Sequence, residues 1–279
     1  MIKTAQQLKA LVRNLSTGDS AKAQEIMRSY ATERFLERLS LSPYRDSLIL
    51  KGGTLVSAIV GLDNRATMDI DATVKNIQLS EEEIRNVLTE ILSLSLEDCM
   101  TFKVKTVRPI MDDVEYPGIR VILDAFLEKV RIPMKIDFST NDVITPGEVC
   151  FEYKLLFEDR TVSIMAYNIE TVLAEKLQTI IARDVANTRM RDFYDIHILG
   201  SLYSQNFDAE TLAAAFAETY TKRGTTVDSK TISQALERLS SSPRMQKLWD
   251  SYRNTYGYAS SIEWNEIMVS TAYVFTLVQ

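Results

Sequence analysis

Two aspartates separated by one residue, Asp69 and Asp71, are the side chains of this sequence that most directly suggest chemistry. In a strand, residues two apart project from the same face, so both carboxylates point one way while Met68, Ile70 and Ala72 face the core. Two carboxylates on one face repel each other and are costly to bury without a cation. Mg²⁺ takes oxygen ligands and bridges carboxylates to nucleotide phosphates, so the pair predicts a magnesium site. A solvated strand face is the alternative.

A third acid, Asp137, lies in a second strand-like segment between Ile136 and Phe138. If this strand lies beside the first, three carboxylates converge on one metal site. Two-metal phosphoryl and nucleotidyl transfer uses such a set, with ions about 3.5–4 Å apart. The alternative for Asp137 is an ion pair with Lys135 or a bond to a turn amide.

A glycine-rich turn precedes the aspartates. Gly52 and Gly53 follow an apolar run, and Thr54 stands where a helix over 54–60 begins. Backbone N–H groups and a hydroxyl in this arrangement can approach a phosphate. A tight strand-to-helix turn with Thr54 as the helix N-cap is the alternative.

A second charged cluster lies in the helical part of the chain. Lys176 stands close to the apolar stripe of a helix over 169–183, where it either extends to solvent or holds a triphosphate as a point charge. The following charges are Arg183, Arg189, Arg191, Asp192 and Asp195. These charged side chains can bind a nucleotide or an RNA backbone. The alternative is that they form surface ion pairs, each worth under about 1 kcal/mol.

The hydrophobic period changes near residue 167. Strand-like segments precede it, at 66–74, 102–110, 118–127, 131–138, 150–157 and 161–166, with helices over 20–39 and from Ser80. The later pattern is helical, at 169–183, 189–203, 208–223, 228–239 and two C-terminal stretches. This order predicts an α+β domain over 1–167 and a C-terminal helical bundle over 168–279.

Composition limits the possible functions. The 279 residues include 32 Lys and Arg against 38 Asp and Glu, a net charge of −6, so any contact with nucleic acid must be local. Cys99 and Cys150 match no paired metal spacing, and the single histidine, His197, excludes multi-histidine metal sites. No apolar run approaches the roughly 20 residues of a membrane span. We therefore expect a soluble cytoplasmic protein without membrane contact.

The motifs together resemble those of the AbiEii/AbiGii toxin family, which are nucleotidyltransferases of bacterial toxin–antitoxin and abortive-infection systems. The matching segments, in the family's order, are Lys51-Gly52-Gly53-Thr54, Arg65-x-Thr67-x-Asp69-Ile70-Asp71, Ile136-Asp137, Ala174-Glu175-Lys176-Leu177 and Arg191-Asp192-Phe193-Tyr194-Asp195. The resemblance implies a DNA polymerase β-like nucleotidyltransferase domain with a mixed sheet, followed by helices that complete the active site.

The resemblance also implies roles for these residues. Gly52, Gly53, Thr54 and Arg65 would bind the nucleotide, and Asp69, Asp71 and Asp137 would hold Mg²⁺. Lys176 would steady the triphosphate, and Asp192 would be the acid of the fourth motif. Arg183, Arg189 and Arg191 would contact RNA.

The implied reaction is attack of an acceptor hydroxyl on the α-phosphate of a nucleoside triphosphate (NTP). The implied acceptor is RNA, in particular the 3′ end of tRNA, whose modification would block translation and growth, and the partner would be a cognate antitoxin. Nucleotidylation of a protein hydroxyl, or a catalytically silent nucleotide- or antitoxin-binding module, are the alternatives. A metal-dependent glycosyltransferase would explain only the Asp-x-Asp pair.

Overall fold

The computed structural model describes residues 1–67, 69–110, 118–202 and 207–278. The chain divides into two compact units, Met1–Asp142 with Val149–Ala166, and Val143–Glu148 with Tyr167–Gln279. The expected functional domains, 1–167 and 168–279, stay a prediction. No helix in the described ranges is long and apolar enough to cross a membrane.

The first unit combines helices with a mixed sheet, as predicted. Its helices are α1 (Ala5–Ser16), α2 (Ser20–Leu41), α3 (Gly52–Val60) and α4 (Glu81–Ser93). Its strands are β1 (Leu48–Lys51), β2 (Ile70–Val74), β3 (Met100–Ile110), β4 (Gly118–Leu127), β5 (Val130–Thr140), β6 (Val149–Lys154) and β7 (Thr161–Ala166). The order across the sheet is β3-β4-β5-β2-β1-β7-β6. The β2–β5 and β1–β7 pairs are parallel and the others antiparallel.

The second unit is helical, also as predicted. Its helices are α5 (Ile169–Arg183), α6 (Met190–Leu202), α7 (Ala209–Lys222), α8 (Ser229–Ser241), α9 (Pro243–Thr255) and α10 (Trp264–Thr276). Asn168 begins α5 as its N-cap, since its side chain accepts a hydrogen bond from the Thr171 amide at 2.7 Å. Position 203, the expected end of α6, lies outside the described residues.

Two predicted strands are shorter in the structure. The segment over 66–74 becomes a strand only at Ile70, because side chains of α3 bind the chain ahead of it. The Ser57 hydroxyl donates to the Arg65 carbonyl and the Thr54 hydroxyl to the Asp69 carbonyl. The segment over 150–157 leaves the sheet after Lys154. The helix expected over 54–60 begins two residues earlier, at Gly52.

Candidate active site

The glycine turn lies directly against a carboxylate. Gly52 has a φ of +63°, and a Cβ atom built on it would overlap Oδ2 of Asp71. The backbone amide of Gly53 donates a hydrogen bond to the Asp71 carboxylate. Only glycine fits position 52, because a side chain there would displace the carboxylate. The turn therefore positions Asp71, whatever else it binds.

The register of the sheet brings Asp71 and Asp137 together, as expected if their strands are neighbours. Asp71 is the parallel partner of Asp137 on β5 and the antiparallel partner of Lys51 on β1. Asp69 lies just before β2, and Ile70 and Ala72 are buried as predicted. Met68, the third residue expected to face the core, lies outside the described residues.

Thr54 and Arg65 support this part of the site. The Thr54 hydroxyl donates to the Asp69 carbonyl at 2.6 Å and is buried. Arg65 is 2% exposed and donates to the Ala66 carbonyl, and its Nη2 would lie 3.0 Å from a Cβ on Gly53. Both side chains thus hold the segment that carries Asp69. Their contact with a nucleotide stays a prediction.

Two cations compensate part of the acidic charge. Lys135 Nζ lies 2.6 Å from Asp69 Oδ2 and 3.7 Å from Asp137 Oδ2. Arg120 binds Asp137 through both carboxylate oxygens, at 2.8 and 2.9 Å. In the described residues, no three His, Cys, Asp or Glu side chains form a group that could hold a metal ion. Arg120 thus engages both carboxylate oxygens of Asp137, and a role of Asp137 as the third metal ligand stays a prediction.

The ionised form of the Asp71 carboxyl group remains electrostatically unfavourable. Burial, together with the carboxylates of Asp137 and Asp69, raises the pKa of Asp71 to about 6, while Lys51 and the Gly53 amide act against this shift. A carboxylate in this state gains from an added cation. Because Mg²⁺ is commonly bound through one or two carboxylates and substrate phosphates, the oxygen donors of Asp69 and Asp71 fit it. Magnesium binding stays a prediction.

The second unit contains a separate charged cluster. Lys176 Nζ lies 2.7 Å from Asp192 Oδ1 and 2.8 Å from Asp195 Oδ2, and the Asp195 side chain is fully buried. Burial acts to lower the pKa of Lys176, but the two carboxylates outweigh it and raise the pKa above its usual value. Lys176 is thus held as a cation. Its predicted contact with a triphosphate is untested.

The three arginines predicted to contact RNA differ in environment. Arg183 and Arg189 are exposed. Arg191 donates to the Tyr256 hydroxyl at 2.7 Å, and its guanidinium lies 5.1 Å from the centre of that ring. Arg191 is thus already held by an aromatic side chain, whereas the other two extend toward solvent. Their contact with RNA stays a prediction.

The single histidine lies on α6 and contacts α10. His197 Nδ1 lies 2.8 Å from Ser270 Oγ, and burial lowers the pKa of His197. The ring is therefore held mainly in its neutral form at neutral pH.

The sequence also matches a family model over residues 34–268, that of the nucleotidyl transferase AbiEii toxin of type IV toxin–antitoxin systems. The chain belongs to the AbiEii family. The match spans both units and every motif discussed above, so the predicted family is confirmed.

Solved structures resemble this AbiEii family member over most of its length. A protein from Helicobacter pylori described as a candidate nucleotidyltransferase has a TM-score of 0.50 and 17% identity, over 91% of this chain and 96% of that chain. JHP933 from Helicobacter pylori has a TM-score of 0.49 and 15% identity, over 91% and 93%. The first likeness shows a shared fold. No curated protein matches the chain.

One contact of this AbiEii family member has no counterpart among the sequence predictions. Asp142 Oδ2 accepts hydrogen bonds from Lys51 Nζ at 2.5 Å, from the Ser139 hydroxyl at 2.6 Å and from the Thr73 hydroxyl. Burial opposes ionisation of Asp142, but these donors outweigh it and lower the pKa. Asp142 thereby fixes Lys51 beside Asp71. No spacing signal could reveal the pair, because its members are 91 residues apart.

Proposed function

We propose that this chain is a Mg²⁺-dependent nucleotidyltransferase that transfers a nucleotide from an NTP to an RNA hydroxyl, with the 3′ end of tRNA as acceptor. The observation that carries the proposal is the position of Asp71, which lies against the Gly52–Gly53 turn and between two acidic neighbours, Asp69 and Asp137. Blocking tRNA in this way would stop translation, as a toxin of a toxin–antitoxin family would.

The carboxylates of Asp69 and Asp71 are the groups that would hold the metal. Bound Mg²⁺ would neutralise phosphate charge and favour ionisation of the attacking hydroxyl. Thr54 fixes Asp69 through its backbone carbonyl, and the Gly53 amide orients Asp71. Lys135 balances Asp69 and Asp137 before a nucleotide arrives.

The proposed transfer is a single displacement at the α-phosphorus of the NTP. The acceptor hydroxyl oxygen forms a bond to the α-phosphorus, and the bond from that phosphorus to the oxygen bridging the α- and β-phosphates breaks. The hydroxyl proton leaves to solvent, and the electron pair of the broken bond leaves with pyrophosphate. Lys176 would contact the triphosphate as a point charge.

A radiolabel experiment tests the proposal. Purified protein is incubated with Mg²⁺, each of the four α-labelled NTPs in turn, and total bacterial RNA or total protein. The variant Asp71→Asn removes the candidate ligand, and Asp159→Asn, an exposed aspartate, is the matched control. Label in tRNA-sized RNA with wild type and the control, but not with Asp71→Asn, is the expected result.

Other outcomes would contradict the proposal. Label in protein alone would indicate protein nucleotidylation. Label that persists in Asp71→Asn would exclude the candidate site. No label in RNA or protein with any NTP would favour a nucleotide- or antitoxin-binding module. The proposed partner of the chain is an antitoxin, since the family belongs to toxin–antitoxin systems.

A further inference from the structure

Basic side chains are exposed on one face of the sheet formed by β3, β4 and β5. Residues of β4 alternate, and its odd-numbered members, such as Ile119, Val121 and Leu123, are buried. Helix α2 contacts β5, and α4 contacts β3. The even-numbered residues therefore lie on the opposite face, which begins at Arg120. We call this the β3–β5 face.

The exposed charge of the β3–β5 face is positive. Its exposed cations are Lys103, Lys105, Arg108 and Arg131. Three of them lie opposite even-numbered residues of β4 and therefore on the same face. The pairs are Lys103 with Asp124, Arg108 with Arg120, and Arg131 with Phe126. Lys105 reaches the same side, with its Nζ 2.8 Å from Asp124 Oδ2. Asp124 pairs with Lys105 and, at 3.7 Å, with Arg131, so its one negative charge compensates one of the four exposed cations and the face keeps a positive excess.

The same face continues to the candidate active site. Arg120 on β4 pairs with Asp137 on β5, and Asp137 pairs with Asp71 on β2. From Arg120 to Phe126 the strand covers about 20 Å, at roughly 3.4 Å per residue. The cations thus form a row that begins beside the acidic cluster and extends away from it along the sheet.

We propose that the β3–β5 face binds the phosphate backbone of the RNA acceptor and directs its reacting hydroxyl toward Asp69 and Asp71. The proposal rests on the proposed function and names the surface that supplies its substrate. A row of cations on a chain of net charge −6 favours a polyanion over neutral partners. The half-buried ring of Phe126 on the same face favours RNA over an acidic protein, because unpaired bases stack on aromatic side chains of open sheets.

The test measures binding of fluorescently labelled, unfractionated tRNA in EDTA, so that transfer does not occur. The first variant is Lys103→Glu/Arg108→Glu. Its control, Lys230→Glu/Lys247→Glu, makes the same change in net charge at exposed positions of α8 and α9. Because a glutamate at position 103 would face Asp124, a second variant, Lys103→Gln/Arg108→Gln, avoids a like-charge pair.

We expect the glutamate variant to raise the Kd for tRNA at least about tenfold and the glutamine variant to raise it about threefold. The salt dependence of log K should become shallower by about two phosphate contacts. The control should stay within about twofold of wild type. An unchanged Kd in both β3–β5 variants, or an equal loss in the control, would overturn the proposal. Polyglutamate serves as a second probe in the same assay, and a loss of polyglutamate binding with tRNA binding intact would also overturn the proposal, because it would indicate an acidic protein partner.

The binding experiment tests the β3–β5 face independently of the proposed function. If wild type transfers nucleotide to RNA but the β3–β5 variants bind tRNA normally, the surface is wrong and the function stands. If the variants lose tRNA binding but wild type transfers no nucleotide, the function is wrong and the surface stands.

Discussion

The cluster around Asp71 in the first unit and the cluster around Lys176 in the second differ in how fully the chain pairs their carboxylates. In the second, Asp192 and Asp195 each lie within 2.8 Å of Lys176 Nζ. In the first, Lys135 and Arg120 pair with Asp69 and Asp137, and burial raises the pKa of Asp71 to about 6. The carboxylates of the Lys176 cluster are thus paired with a cation of the chain, whereas Asp71 keeps an electrostatic penalty.

This difference indicates different roles. Lys176 on α5 pairs with two carboxylates of α6, so removing this one cation would leave buried charge uncompensated between the two helices. A carboxylate left under electrostatic strain raises the free energy of the folded chain, and a cation that binds there recovers it. We therefore assign ligand binding first to the Asp71 cluster, and the predictions below test the contrast.

The largest effect on stability is expected from Lys176→Met. The change removes the Lys176 cation from beside the fully buried Asp195, which should lower the free energy of unfolding by about 3–5 kcal/mol. Urea denaturation measures it. The double variant Lys176→Met/Asp195→Asn should recover a large part of the loss. A loss below about 1 kcal/mol would contradict the view that this cluster stabilises the helices.

The same double variant distinguishes a purely structural role of Lys176 from contact with the triphosphate. If Lys176 also contacts the triphosphate, the double variant should regain stability without regaining nucleotide transfer. Recovery of both would mean that Lys176 acts on the fold alone.

An intermediate effect is expected from Gly52→Ala. The new Cβ would meet Asp71 Oδ2 at a position with φ of +63°, so the free energy of unfolding should fall by about 2–4 kcal/mol. Gly61→Ala is the matched control, since Gly61 also has a positive φ but no atom lies within 4 Å of its Cβ position. Its cost should be about 1–2 kcal/mol.

A cycle with Asp71→Ala isolates the contact. In that background Gly52→Ala should cost no more than Gly61→Ala does, because the carboxylate is gone. A Gly52→Ala penalty that persists in full would show that the close approach to Asp71 is not what requires glycine.

The smallest effect concerns pH. The folded pKa of Asp71, about 6, lies above the ordinary 3.8, so the folded chain binds more protons between these values. The unfolding free energy of the metal-free protein should therefore fall as pH rises from about 4 to about 7, by about 2–3 kcal/mol from this group. Urea denaturation in EDTA should show that Asp71→Asn has a correspondingly flatter profile. Identical profiles for the two proteins would contradict the strain assigned to Asp71.

Local signals explain which parts of the fold could be predicted. The predicted bounds of α5, β4 and β7 agree with the structure, because an N-cap at Asn168 and strand periodicity lie in the sequence itself. Asp71 and Asp137 were expected to lie close together only if their strands are neighbours, and the β2–β5 register confirms that they are.

Contacts between distant residues explain what could not be predicted. The bidentate pairing of Arg120 with Asp137 depends on the β4–β5 register, and no spacing signal distinguishes such a partner from a metal ion. The late start of β2 depends on two hydroxyls of α3 that bond to carbonyls 8 and 15 residues further along the chain. No periodic pattern records such bonds, so tertiary contacts override the local strand propensity there.

Divalent metal binding tests the contrast between the two clusters most directly. Mn²⁺ binding to the nucleotide-free protein is followed by electron paramagnetic resonance for wild type, Asp71→Asn and Asp192→Asn, after circular dichroism has verified that each is folded. We predict that Asp71→Asn weakens Mn²⁺ binding at least about tenfold and that Asp192→Asn changes it less than about twofold. Normal binding by Asp71→Asn, or an equal loss in Asp192→Asn, would contradict the assignment of the metal to the Asp71 cluster.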